Sequence, residues 1–383
     1  MEQTKTELHT HLMGMLSAEE FLNFLSQYLE CIYWPLDEPI SKASQTIPLA
    51  SATMDKDVLA SLRIPHGEQV DYFTLDDMYA TRTELLKLAV HSTTSKLNDL
   101  LINEYQNIPP EDKKKIIHQQ AEETVYNDYI NHCLKELVKQ GVEYVEISYS
   151  NARRILGYDI NEKLKDKITC KFLLSTDRSR SIRNMKQCAK ELRKTLDSGS
   201  LVGVDIMGQE RPFSLEELDY NNSKSFQQKL EILFDELLQH KNTTLRIHSG
   251  EIPTSNNTLI TLKMIDQIAT KKGIEIPPPE IRIGHGLHFT PNEDYISLLK
   301  KFHCIVEINA SSNYSLGNIK NYQDIPYNYY LENQIPIVIA TDGHGLYDTT
   351  IQKEDEIARN HTTLEQYDAI IKTDKDMLGK KVR

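Results

Sequence analysis

Residues 201–207 read Leu-Val-Gly-Val-Asp-Ile-Met and residues 243–248 read Thr-Thr-Leu-Arg-Ile-His, and both runs have the β-branched and apolar content of strands. Between them, apolar side chains recur at helical spacing, at Phe226, Leu230, Leu233, Phe234 and Leu237. A strand, a helix and a second strand in this order predict two parallel strands joined by a crossover helix.

The same alternation runs along the whole chain of 383 residues. Eight β-rich runs are present: Thr6–Leu12, Val142–Tyr149, Ile168–Ser175, Leu201–Met207, Thr243–His248, Ile281–His285, Cys304–Asn309 and Ile335–Thr341. Eight parallel strands with helices between them predict an α/β fold of the (β/α)8 TIM-barrel type. A doubly wound open sheet is the alternative that counting elements leaves open. We expect a single domain over residues 1–383.

One long stretch interrupts the alternation, because about 130 residues separate the first run from the second. The sequence beyond Cys31 is poorly periodic, and helical spacing returns at Met78–Val90 and Ile116–Val138. We therefore predict a mostly helical insertion at about residues 31–127. An insertion after a barrel strand lies over the catalytic face, so we expect it to act as a lid.

Composition excludes several classes of protein. The chain has 44 Lys and Arg against 56 Asp and Glu, a net charge of -12, which would repel the phosphates of a nucleic-acid polymer. It has no long apolar run and no signal-peptide pattern, and its five cysteines form no CxxC pair. We expect a cytoplasmic protein with no membrane partner and with free thiols, and the oligomeric state stays open.

Histidines concentrate at the predicted strand ends. His9 and His11 stand two residues apart in a strand, so both side chains point to the same side. His248 and His285 end two further strands, and Asp342 follows the last. Three of these imidazoles, together with the carboxylate, at the carboxyl ends of barrel strands predict a zinc site with one position left for water.

Two further positions carry possible chemistry at this face. Glu251 stands three residues beyond His248, after Ser249 and Gly250, and its carboxylate can shuttle protons if the chain turns back toward the metal. Gly208 ends the fourth strand, where a glycine permits close approach of a backbone amide to a ligand.

The set of motifs resembles the adenosine and AMP deaminase branch of the amidohydrolase superfamily. The motifs occur in that family's order: Glu7-Leu-His-Thr-His-Leu12, Asp205-Ile-Met-Gly208, His248-Ser-Gly-Glu251, Arg282-Ile-Gly-His-Gly286 and Thr341-Asp342. The resemblance implies an amidohydrolase-type barrel in which His9, His11, His248 and Asp342 bind one zinc ion per chain.

The resemblance also implies the roles of three other residues. His285 would orient the attacking water and help to deprotonate it. Glu251 would protonate the purine ring nitrogen beside the attacked carbon, and the Gly208 amide would contact another ring nitrogen.

Two positions depart from the family pattern. Met13 replaces the aspartate that holds the sugar 5′-hydroxyl, and Gly343 replaces a second aspartate that contacts the purine. We expect Met13 to contact the substrate near its 5′ end and His344 to take over the purine contact. Arg178, which follows the third strand, is a candidate for binding a phosphate.

These residues predict a zinc-dependent hydrolase that deaminates an adenine nucleoside or its 5′-phosphate to the inosine counterpart. One alternative is a deaminase of N6-methyl-AMP or of ATP and dATP, with antiviral defence as a possible role. A zinc-bound binding or assembly module without turnover is the alternative from a different class, and the presence of both Glu251 and His285 argues against it.

Overall fold

A computed structural model describes residues 3–34, 45–64, 67–101, 108–213, 222–253, 257–274 and 279–381. Ten strands are described: β1 (Thr6–His11), β2 (Cys31–Trp34), β3 (Gln45–Pro48), β4 (Tyr144–Tyr149), β5 (Thr169–Asp177), β6 (Leu201–Met207), β7 (Thr244–Ser249), β8 (Glu280–His285), β9 (Ile305–Ile308) and β10 (Ile337–Ile339). The helices described are α1 (Ala18–Leu25), α2 (Leu49–Ala52), α3 (Lys56–Ala60), α4 (Tyr72–Leu100), α5 (Pro110–Lys139), α6 (Ala152–Leu156), α7 (Ile182–Leu196), α8 (Ser223–Leu237), α9 (Asn257–Lys271), α10 (Glu293–Lys301), α11 (Ala310–Ser315), α12 (Tyr327–Glu332), α13 (Ile351–Asn360) and α14 (Leu364–Lys381).

Eight of the strands form one parallel sheet in the order β1-β4-β5-β6-β7-β8-β9-β10. The first and last strands meet, because Thr10 forms a parallel bridge with Asp342. The Asp342 amide donates to the His9 carbonyl at 2.8 Å, and the His11 amide donates to the Asp342 carbonyl at 3.3 Å. The sheet therefore closes on itself, which confirms the TIM barrel and excludes the open sheet. Each of the eight predicted runs overlaps one of these strands.

The interior of the barrel holds charged side chains that neutralise one another. Arg246 and Arg282 are completely buried, and so are three carboxylates that face them: Glu146, Asp205 and Glu307. An Arg246 Nη donates to Asp205 at 2.8 Å, an Arg282 Nη donates to Glu307 at 2.9 Å, and Arg282 also pairs with Glu146. Buried charges are tolerated only when they are paired in this way. The network forms a fixed floor under the strand ends.

The segment between β1 and β4 contains more than helices. Strands β2 and β3 pair as a small antiparallel sheet, which the poor periodicity of this stretch did not predict. Helix α4 is anchored by the buried Arg82, which donates to the carbonyls of Leu62 at 2.9 Å, Met13 at 3.0 Å and Leu16 at 2.7 Å. These bonds tie α4 to the loop that leaves β1, so the segment is held against the mouth of the barrel.

All five cysteines are free thiols, as expected. Among the described helices, none has both the length and the apolar character needed to cross a membrane.

Candidate active site

A cavity of about 440 Å³ opens at the carboxyl ends of the barrel strands. Its walls come from the strand ends, from the loop after β4 and from the first turns of α4. The residues that line it are His11, Leu12, Met13, Tyr72, Phe73, Leu75, Asp76, Tyr79, Thr83, Tyr126, Ser148, Tyr149, Ser150, Asn151, Arg154, Ser175, Met207, Gly208, Gln209, His248, Glu251, Asp342 and Tyr347. Parallel barrels place their catalytic groups at this end, so the cavity is the candidate active site.

The four predicted metal ligands, His9, His11, His248 and Asp342, lie together at the base of this cavity. The Asp342 Oδ1 atom lies 3.5 Å from His9 Nε2 and 3.3 Å from His11 Nε2. Potential ligand atoms of His9, His11 and Asp342 lie within 4.8 Å of one another, and so do those of His11, Asp205 and His248. The Nε2 atoms of His9 and His248 are buried and find no hydrogen-bond partner among the described residues. Orphaned imidazole nitrogens beside a carboxylate fit a zinc ion.

The residues around this cluster fix the orientation of the ligands. His9 Nδ1 lies 2.8 Å from Glu307 Oε2, so Nδ1 carries the proton and Nε2 is free to bind a metal. The Ser312 hydroxyl donates to the second oxygen of Asp342 at 2.6 Å. Burial opposes ionisation of Asp342, but its hydrogen bonds with His11 and His9 outweigh this and hold its pKa well below the usual range. Asp342 is therefore a carboxylate, as a metal ligand must be.

His248 is fixed by a second carboxylate. Its Nε2 lies 3.3 Å from Asp205 Oδ1. Burial opposes the charge of Asp205, yet Arg246 and then His248 hold its pKa well below the usual value. Burial also lowers the pKa of His248 well below its ordinary value, which leaves a neutral imidazole. Asp205 thus joins the cluster as a further candidate ligand or as an orienting group.

His285 and Glu251 lie side by side next to the ligand cluster. The two side chains are 3.8 Å apart, from His285 Nε2 to Glu251 Oε1, and His285 Nε2 lies 3.4 Å from His248 Nδ1. The shortest contact of His285 Nδ1 is to Asn313 Oδ1 at 3.1 Å, and the Asn313 amide donates to the Asn309 carbonyl at 2.7 Å. The Asn313 oxygen therefore faces His285, which places the proton on Nδ1 and leaves Nε2 as an acceptor toward the site.

The loop that carries Glu251 is held by a buried carboxylate. Glu210 accepts hydrogen bonds from the Ser249 hydroxyl at 3.2 Å, from the Gly250 amide at 3.1 Å and from the Glu251 amide at 2.9 Å. Gly250 has a φ of +70°, which permits the turn that the sequence suggested. Glu251 is buried, with 7% exposure, and its carboxylate reaches the cavity.

Gly208 and Met13 both lie in the cavity wall. Gly208 has a φ of +98°, and a Cβ there would lie 2.4 Å from the Asp177 carboxylate. Only glycine fits this position, so its backbone reaches the cavity without a side chain in front.

Arg178 and His344 do not line the cavity, contrary to expectation. Arg178 is buried and its guanidinium donates to the carbonyl of His248, so it supports the end of β7 from behind. His344 is also buried, and burial lowers its pKa to about 4. Neither His344 ring nitrogen finds a partner in the described part of the chain. The structure thus places both side chains outside the cavity wall, and their contact with a substrate stays a prediction.

Several residues of the site were not singled out from the sequence. Asp205 and Glu307 lie three residues before Gly208 and two before Asn309, and strand alternation would have pointed them into the barrel. Tyr72 begins α4, and its hydroxyl interacts with Glu251 and accepts a hydrogen bond from Asn318 at 3.0 Å. No local pattern marks Tyr72, because only the folded insertion brings it to Glu251.

The chain is similar to known deaminases along most of its length. The family described as adenosine deaminase matches residues 113–372. An adenosine deaminase of Plasmodium gallinaceum is 25% identical over 368 residues, which cover 92% of this chain and 79% of that protein. N6-Methyl-AMP deaminase-L of Xenopus laevis is 25% identical over 266 residues, 64% of this chain and 63% of that protein.

Solved structures show the same fold. The apo structure of the N6-methyl-AMP deaminase from Arabidopsis thaliana superposes with a TM-score of 0.58 at 16% identity, over 99% of this chain and 97% of that one. The family match covers more than half of the chain. The histidines and carboxylates of the motifs lie together at one cavity. This chain belongs to the adenosine deaminase family.

Proposed function

We propose that this chain is a zinc-dependent hydrolase that removes the 6-amino group of an adenine nucleoside or of its 5′-phosphate. The observation that carries the proposal is the convergence of His9, His11, His248 and Asp342 with His285 and Glu251 at one cavity. Its membership in the adenosine deaminase family supports the same chemistry.

His9, His11, His248 and Asp342 would hold one zinc ion per chain. When bound there, such an ion would lower the pKa of a coordinated water toward neutrality and so provide a nucleophile at physiological pH. Neutral His248 and ionised Asp342 are in the protonation states that a metal requires. His285 and the second-layer carboxylates Glu307 and Asp205 remain outside this proposed ligand set.

Attack of water on C6 needs two proton transfers, and the chain has a group for each. The Nε2 atom of His285 accepts a proton from the attacking water, because Nδ1 is engaged with Asn313. Glu251 donates a proton to the ring nitrogen beside C6, which makes that carbon electrophilic. Water oxygen bonds to C6, the protonated His285 returns its proton to the 6-amino group, and the C6–N6 bond breaks with loss of ammonia. The Glu251 carboxylate takes the proton of the new hydroxyl, so both groups regain their starting states. The product is a 6-oxopurine.

The remaining polar groups of the cavity position the base. The Gly208 amide donates a hydrogen bond to a second ring nitrogen, because no Cβ stands between it and the cavity. The insertion at about residues 31–127 acts as a lid: Tyr72, Phe73 and Tyr79 of α4 lie in the cavity wall and would shield the base from water. Helix α5 runs on from this insertion to Lys139 without a break, so residue 127 lies within a helix.

The test is release of ammonia by zinc-loaded protein from adenosine, deoxyadenosine, AMP, dAMP, ATP and dATP, and release of methylamine from N6-methyl-AMP, with Glu251→Gln as the blank. Release from adenosine, AMP or their deoxy forms supports the proposal. Release from N6-methyl-AMP or the triphosphates alone moves the substrate to the modified or triphosphate class. Silence toward all of them, with one zinc bound per chain, refutes deaminase activity on adenine compounds and leaves a zinc-bound binding module.

A further inference from the structure

One cation stands out in the cavity wall. Among the described residues that line the cavity, Arg154 is the single arginine or lysine. It belongs to the short helix α6, which follows the carboxyl end of β4. The acidic and imidazole side chains in the lining are those of Asp76, Glu251 and Asp342 and those of His11 and His248.

The Arg154 side chain is held in one orientation from three sides. Its Nη1 donates to the Tyr149 hydroxyl at 2.5 Å, and its Nη2 donates to Glu122 Oε1 at 2.7 Å. The guanidinium carbon lies 3.6 Å from the centroid of the Tyr126 ring, in cation–π contact. A guanidinium fixed by packing and hydrogen bonds loses little entropy when it binds a ligand.

The fixed guanidinium retains capacity for an anion. It carries five N–H groups, and the contacts to Tyr149 and Glu122 use two of them. The Nε atom finds no hydrogen-bond partner in the described ranges. Glu122 does not line the cavity; it lines a second groove, between α4 and α5, that Arg154 also reaches, so its carboxylate holds the guanidinium from outside the cavity. Ser150, Asn151 and Thr83 line the same cavity with neutral polar groups.

The position of Arg154 suits one end of an elongated ligand. In the barrel order, β4 lies beside β1 and is separated from β6 by β5. With neighbouring strands about 4.8 Å apart, the end of β4 is about 10 Å round the rim from the end of β6, and Arg154 is hydrogen-bonded to Tyr149 at the end of β4. Asp76 lies near Asp177, the last residue of β5, and Asp177 packs on Gly208. A base held near Glu251 and Gly208 would direct its sugar substituent toward the cation.

We propose that Arg154 binds the 5′-phosphate of the substrate, so that this chain prefers a nucleoside monophosphate to the free nucleoside. The inference rests on the proposed function, since it assumes an adenine compound in this cavity. Planar N–H donors match the oxygens of a phosphate, and a partly buried cation binds a phosphate more strongly than an exposed one does.

The experiment compares wild type with Arg154→Gln, Arg154→Lys and the control Arg153→Gln, all zinc-loaded. Arg153 is exposed, belongs to the same helix and does not line the cavity. For each protein we measure kcat/KM for AMP and adenosine, and the calorimetric Kd of the products IMP and inosine. Circular dichroism and thermal melting check that each variant folds.

Arg154→Gln should lower kcat/KM for AMP and weaken IMP binding by about 10- to 100-fold, the value of a charged hydrogen bond. Adenosine and inosine should change less than threefold, Arg154→Lys should be intermediate, and Arg153→Gln should match wild type. Equal losses for AMP and adenosine, or an unchanged AMP reaction, would overturn the assignment.

The two proposals fail separately. If neither AMP nor adenosine is deaminated, the proposed function fails, and the IMP and inosine affinities still decide the role of Arg154. If both are deaminated and wild type binds inosine as tightly as IMP, the phosphate site fails and the deaminase stands. That comparison needs no variant, so it also decides the matter should Arg154→Gln not fold.

Discussion

Replacing Gly284 with alanine tests the metal site without removing any ligand. Gly284 lies on β8 directly before His285, and its missing side chain leaves room for the ring of His9. A Cβ at this position would lie 2.7 Å from His9 Cε1 and 3.2 Å from His9 Nδ1. Ordinary van der Waals contact begins at 3.4 Å, so the His9 ring must move by about 0.7 Å.

The His9 ring cannot make this shift freely. It is completely buried, and its Nδ1 lies 2.8 Å from Glu307 Oε2. Its ring centroid lies 4.6 Å from that of His248 and 5.1 Å from that of His285. Loss of an outer-layer contact to a metal ligand typically lowers metal affinity by about 10- to 100-fold. We expect Gly284→Ala to weaken zinc binding by that factor, and a displaced ligand to lower kcat at saturating zinc by about 10-fold or more.

Zinc affinity is measured by competition with a chromophoric chelator, and deamination is measured at saturating zinc. Gly379→Ala is the matched control, because Gly379 lies in helix α14 and a Cβ there has nothing within 4 Å. The control should bind zinc as wild type does. If Gly284→Ala also binds zinc with wild-type affinity while remaining folded, then His9 is not a ligand in the arrangement argued above.

Three further predictions concern single side chains. Glu251→Gln should keep one zinc per chain in metal analysis while kcat falls by about 10²- to 10⁴-fold; unchanged turnover would remove Glu251 as the proton donor. Tyr72→Phe, which deletes the hydroxyl that interacts with Glu251, should lower kcat by about 3- to 10-fold with little change in KM, and steady-state kinetics decides this. Burial raises the pKa of Glu354 from 4.5 to about 7, so its contribution to stability is full below pH 4.5 and is lost as pH rises through 7. The free energy of unfolding that is lost between pH 5 and pH 8 in denaturant unfolding should therefore be smaller by about 2.5 kcal/mol in Glu354→Gln than in wild type; an unchanged loss would show that Glu354 ionises normally.

The barrel could be predicted from local patterns because each strand and helix is stabilised by its own apolar spacing. Strand β6 coincides with the predicted run Leu201–Met207, and the other seven differ by a few residues at their ends. Closure required more, since no local pattern shows that Thr10 meets Asp342. The small sheet of β2 and β3 was missed because four-residue strands are too short for alternation to be distinct.

The clustering of the proposed metal ligands could also be predicted, because side chains at the carboxyl ends of parallel barrel strands project into the same mouth of the barrel. His9, His11 and His248 project from strands whose direction and register are set by the sheet. Positions in loops lack that constraint. Arg178 follows β5 by one residue, yet its side chain turns back to the carbonyl of His248, a contact that depends on a strand about 70 residues away in sequence.

The backbone around Gly343 shows why His344 does not lie in the cavity wall to take over the contact expected of the family aspartate that Gly343 replaces. Asp342 has a φ of +64° and Gly343 a φ of +150°, so the chain turns sharply after the carboxylate and buries His344. A side chain at residue 343 would meet the backbone of Gly14, with its Cβ 3.2 Å from the Gly14 Cα atom. The loops after β1 and β10 thus pack backbone to backbone, and this contact requires glycine at 343. Residues 343 and 344 do not line the cavity, so polar contacts to a ligand would come from elsewhere in its wall. The polar groups of the wall include Tyr72 and Arg154. Tyr72 lies on α4 in the insertion, and Arg154 lies on α6 in the segment that follows β4. The sheet fixes the side chains at the strand ends, which carry the proposed chemistry. The surrounding loops, which would carry selectivity, are positioned only by tertiary packing, so their contacts cannot be predicted from local sequence patterns.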